Sequence, residues 1–87
     1  LMKINNLIQI LSNKLNQNLK IVYLLIEDKT FLHKKHKTHT KDKFHIKITI
    51  QCNELSKIKS IEANRKIFSI LKKEIDLYIH SLQIQLI

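Results

Sequence analysis

Glycine, proline and tryptophan are absent from this 87-residue chain, and cysteine and arginine occur once each, as Cys52 and Arg65. Each absence closes off a class of chemistry. Without Gly there is no P-loop and no dinucleotide fingerprint, because both need a residue lacking Cβ where backbone meets phosphate. A single Cys excludes a disulfide framework and any all-cysteine metal cluster held by this chain alone. Long apolar runs are missing too: the longest, Ile21 to Ile26, is far too short to span a membrane. Asn5, Asn6 and Gln9 interrupt what would be the apolar region of a secretory signal. The chain opens Leu1-Met2, which puts initiation at Met2 or further upstream in a longer precursor. The length suits one domain over residues 1–87, burying about 60% of the surface its unfolded form exposes. A roomy internal active site does not fit.

What is abundant is lysine. Sixteen basic residues against seven acidic ones give a formal charge of +9. The charge is uneven, for residues 29–47 hold seven Lys and one Asp, which is +6 of the total. Four of the five His (His33, His36, His39 and His45) lie in the same stretch. Such a segment can meet phosphates or an anionic partner, or it can be a solvated loop in a Lys-rich composition.

Apolar spacing divides the rest. Ile4, Leu7, Ile8, Leu11 and Leu15 recur at three and four residues, which predicts an amphipathic helix ended by Asn16 to Asn18. Ile21 to Ile26 reads as a strand buried on both faces. Residues 29–43 form a long polar loop. Phe44, Ile46, Ile48, Ile50 and Cys52 then alternate with His45, Lys47, Thr49 and Gln51, the clearest strand in the chain. A basic connection, Leu55 to Lys59, leads to a helix with Ser60 as N-cap and Glu62 in its first turn. Its stripe is Ile61, Ile67, Phe68, Leu71, Ile75 and Tyr78. A last strand places His80 on one side with Leu82, Ile84 and Leu86. The order αββαβ predicts a two-layer α+β sandwich: a three-stranded mixed sheet covered by helices on one face.

No nucleophile–base pair can be assembled from these residues, which points away from an enzyme. Cys52 falls on the apolar side of its strand, where a thiol behaves as a small hydrophobe. The seven carboxylates are scattered. The histidines are the informative polar groups. His33, His36 and His39 recur every third residue and could chelate a divalent metal from a loop. His80, at the start of a strand, is either a hydrogen-bonded structural residue or a fixed imidazole ligand.

From His45 to Gln85 the chain resembles the BolA family. The family's Thr-His-Phe opening and alternating strand read here as Phe44-His45-Ile46-Lys47-Ile48-Thr49-Ile50. Its turn corresponds to Leu55 to Lys59, its Arg-His-Arg segment to Ala63-Asn64-Arg65, and its following helix to Lys66 to Ile75. Its closing His-Ala-Leu strand is His80-Ser81-Leu82-Gln83-Ile84. Upstream, Lys29-Thr30-Phe31-Leu32-His33 looks like the family's Glu-Ser-x-x-His, followed by a loop about three residues longer than usual. The resemblance implies a class II KH-like fold and a non-catalytic role beside a monothiol glutaredoxin, with which such proteins share a 2Fe–2S cluster. The glutaredoxin Cys and a glutathione thiol hold one iron. The other falls to the C-terminal-strand His, here His80, and a loop ligand, here His33, with His36 and His39 as competitors. No cluster is expected on the isolated chain. His45 and Arg65 match family residues that face the partner or the cluster surroundings. The resemblance places such a protein inside the cell, in cytosol or mitochondrion.

Two departures stand out. The central His of Arg-His-Arg is Asn64, and the Gly of the turn is Lys57. The second bears on the alternative reading, a KH-like nucleic-acid-binding module using Lys57 and Lys59. The KH clamp relies on Gly for close approach to a strand, and this chain also has few aromatics for stacking.

Overall fold

The computed structural model describes residues 2–30 and 43–87. The first helix, α1 (Ile4–Asn18), buries Leu7, Leu11 and Leu15 as one stripe. It stops where asparagine amides turn back onto the helix: Asn16 Nδ2 donates to the Ser12 carbonyl (2.9 Å) and Asn18 Nδ2 to that of Lys14 (2.7 Å). Strands β1 (Ile21–Asp28) and β2 (Phe44–Cys52) pair antiparallel. Three helical segments follow, α2 (Asn53–Ser56), α3 (Ser60–Ile70) and α4 (Lys72–Tyr78), and β3 (Ile79–Leu86) closes the chain. β3 pairs parallel to β2, so β2 is central in the order β1-β2-β3. This is the α+β sandwich that the patterning predicts, with the helical crossover that a parallel pair needs.

The core lies between one sheet face and the helices. Ile46, Ile48, Ile50 and Cys52 of β2 pack there with the α1 stripe and with Ala63, Ile67 and Leu71. The other face is open: Tyr23, Leu25, Gln51, Ser81, Gln83 and Gln85 are exposed on it. This corrects the expectation for β1. Its apolar run is buried on one face only, because β1 is an edge strand and the helices cover one side. Val22 and Tyr23 stand exposed where the pairing with β2 slips between Ile21 and Tyr23.

The second helix also differs from its reading. Lys59 rather than Ser60 is the N-cap: its backbone is extended, its carbonyl takes the first bond from Ala63 N–H (2.9 Å), and no side chain caps it. Glu62 keeps its place in the first turn. The helix breaks at Leu71 (φ −102°, ψ 13°), whose buried side chain marks the corner between α3 and α4. The expected stripe is correspondingly narrower. Ala63, Ile67 and Leu71 are buried, while Ile61 and Phe68 face solvent.

No described residue has a positive φ. A backbone that stays out of the left-handed region has no position that demands glycine, which is how a fold can be built without any. Among the described residues, no helix is long and apolar enough to cross a membrane.

Candidate metal site

Two of the histidines that the sequence singles out, His45 and His80, meet at the start of β2 and β3. In the parallel register Phe44 faces Ile79 and His45 faces Ser81, so β3 carries one extra residue there, His80. The cause is burial. Alternation counted back from Leu82 would turn Ile79 outward, yet Ile79 is only 3% exposed. Inserting His80 between Ile79 and Ser81 reconciles the two. His80 is therefore exposed and leaves the Leu82–Ile84–Leu86 side on which simple alternation places it. Its ring lies 4.9 Å from that of His45, centroid to centroid, with the planes tilted by 59°.

His45 points to the polar side of β2, as its spacing predicts, but it is only 6% exposed. Its Nδ1 is 2.6 Å from Ser81 Oγ. Its carbonyl accepts the Lys29 N–H (2.7 Å), and its own N–H donates to Thr30 Oγ1 (3.1 Å). Thr30 is tied in turn: its N–H (3.0 Å) and its hydroxyl both donate to the Asp28 carboxylate, a local turn that fixes the exit from β1. Asp28 and Thr30 were readable as such a turn from their spacing. Ser81 was not, because the extra residue that sets it opposite His45 leaves no mark in the pattern.

Lys43, just before β2, donates from Nζ to the Asp76 carbonyl on α4 (3.3 Å). Thr30 is thus bonded to His45, and Lys43 precedes His45 by two residues. His33, His36 and His39 belong to the segment joining Thr30 to Lys43 and lie outside the described residues.

Cys52 is remote from this cluster. It ends β2, seven residues from His45 and so about 23 Å along the strand, and is 3% exposed in the core. Its reading as a small hydrophobe agrees with that position. Arg65 is exposed on α3 and lines a groove with Phe68, Lys72 and Asp76, the residue whose carbonyl Lys43 reaches.

Lys57 and Lys59 are exposed between α2 and α3, beyond the Cys52 end of β2. They are therefore at the opposite end of the central strand from the histidine pair. Lys57 has φ −91° and ψ −6°, ordinary right-handed backbone that a Cβ does not disturb. Replacing Lys57 by Gly should consequently destabilise the fold, by about 0.5 kcal/mol, through the entropy given back to the unfolded chain. Urea unfolding checks this, and a gain in stability would show that the turn wants Gly after all.

Among the described residues, no three His, Cys, Asp or Glu side chains are grouped to hold a metal ion. What the arrangement offers is one solvent-facing imidazole on a strand, backed by a second, buried one. That donor set suits a metal whose remaining ligands come from elsewhere; it does not suit a cluster held wholly by these residues.

A family model described as BolA-like protein matches residues 15–87. BolA1 from Arabidopsis thaliana has a similar structure, with 27% identity and a TM-score of 0.76, over 90% of this chain and 86% of that one. The BolA domain of SufE1 from Arabidopsis thaliana superposes with a TM-score of 0.78 at 21% identity, over 99% of this chain and 93% of that domain. Comparison with curated proteins gives no match.

Proposed function

The chain belongs to the BolA-like family, and from that membership we propose that it is a non-catalytic iron–sulfur adaptor pairing with a monothiol glutaredoxin. In this reading the two proteins share a 2Fe–2S cluster, and the pair serves cluster trafficking, maturation or iron regulation in cytosol or mitochondrion. The observation that carries it is the exposed His80 imidazole against the ring of His45, which is itself bonded to Thr30, the residue before the histidine-bearing segment. His33 follows Thr30 by three residues, so the extended chain limits it to about 11 Å from Thr30. His36 and His39 compete for the same role. The partner's Cys and a glutathione thiol supply the remaining ligands.

Imidazole in place of thiolate raises the potential of such a cluster and makes its binding sensitive to pH. The chain's own contribution is to present the His80 imidazole on the edge strand β3 and, through Arg65 and the adjoining groove, a surface for the partner. Mixing the purified chain with a monothiol glutaredoxin, glutathione, iron and sulfide should give an absorption spectrum unlike that of the glutaredoxin homodimer. An unchanged homodimer spectrum, with no complex on gel filtration, would remove the reading. Oligonucleotide binding at sub-micromolar affinity in physiological salt would instead favour the nucleic-acid module at Lys57 and Lys59.

A further inference from the structure

We infer that His45 is a positioning residue: it holds the His80 imidazole through ring contact, and Ser81 holds His45. This rests on the reading of His80 as a ligand and adds a residue to it. His80 needs a support. It is exposed, at the irregular start of β3, where an unsupported imidazole would sample several rotamers. Each rotamer lost on binding weakens a ligand, and preorganisation removes that cost.

His45 can supply the support because its own position is over-determined. The ring is buried and its Nδ1 is engaged by Ser81 Oγ, while its backbone is bonded on one side to Lys29 and on the other to Thr30. The 4.9 Å tilted contact with His80 lies in the range where ring pairs attract. The extra residue in β3 makes this possible. In regular alternation His80 would lie across the sheet from Ser81, but the slip brings both beside His45 on the same side. Because His45 is also bonded to both residues that lead into the 31–42 segment, it joins the root of that segment to the His80 ring.

A merely structural His45 would matter for stability alone, so the test reads the His80 ring directly. In the isolated chain, side-chain couplings in NMR should show one dominant His80 rotamer. His45→Ala and Ser81→Ala should average it, while His45→Phe, which keeps a ring, should largely restore it. In the mixed complex with glutaredoxin, His45→Ala and Ser81→Ala should speed cluster loss to a chelator about tenfold, the usual effect of removing an outer support of a metal ligand. Ser81 is exposed, so its variant keeps the test open if His45→Ala fails to fold. An equally ordered His80 in the variants, or unchanged cluster loss, overturns the inference. The ligand reading fails separately, if His80→Ala leaves the mixed spectrum unchanged, because the NMR measurement involves no cluster.

Discussion

Replacing His80 by Ala should collapse the absorption spectrum of the mixed complex onto that of the glutaredoxin homodimer, whereas Cys52→Ala should leave the mixed spectrum intact. Thiolate is ordinarily the better iron ligand, so composition alone would favour the lone Cys. Geometry reverses that preference. The Cys52 side chain is buried in the same core as Ile50 and Leu55, about 23 Å along β2 from His45, and it could reach a cluster only by unfolding the strand. His80 is exposed, and removing an exposed side chain typically changes stability by less than about 0.5 kcal/mol. Loss of the spectrum would therefore report lost ligation and not lost structure, and circular dichroism of the variant controls for this. The assignment to His80 fails if its variant keeps the mixed spectrum, and the half-site reading fails if the Cys52 variant loses it.

Lys14→Met should be the more damaging change to stability, at roughly 2–4 kcal/mol. Glu74, in the first turn of α4, has a side chain only 4% exposed, and Lys14 of α1 meets its Oε2 at 2.6 Å. Its other oxygen, Oε1, has no hydrogen-bond partner among the described residues. Removing the lysine strands a buried carboxylate between two helices. The Lys14 side chain is 34% exposed, which keeps the cost toward the lower end. At about 4–8 °C per kcal/mol for a domain of this size, the melting temperature should fall by roughly 10–20 °C. Glu74→Leu should cost far less, since Lys14 can turn to solvent once its partner is gone. The double variant Lys14→Met, Glu74→Leu should recover to within about 1 kcal/mol of the natural chain, because an apolar pair replaces a desolvated ionic one. Equal costs for the two single variants would mean that the carboxylate is already solvated.

The pair also shows where reading from the sequence stops. Lys14 sits on the flank of α1, and Glu74 falls three residues after Leu71 and four before Tyr78, in line with the apolar stripe, but the spacing names no partner for either. Only the packing of α1 on α4 buries one of them. His45 is a similar case. Its alternation with Ile46 and Ile48 places it on the open face, and that is where it lies, but its contacts with Ser81 and His80 come from another strand.

The sequence by itself determined the elements and their inner faces. The α1 stripe and the nine residues of β2 stand where their periods put them, because a side chain's direction within its own helix or strand follows from backbone geometry alone. The lack of Gly was equally legible in its consequence, a described backbone with no positive φ at any position. The tertiary structure decided what depends on neighbours: the exposed face of β1, the break at Leu71, the extra residue at His80 and the company His45 keeps. Period fixes orientation within an element, but the choice and register of its partner are set by how much apolar surface the assembled layers bury. Burial of Ile79 is the small instance of that choice, and it turned His80 toward His45 and solvent.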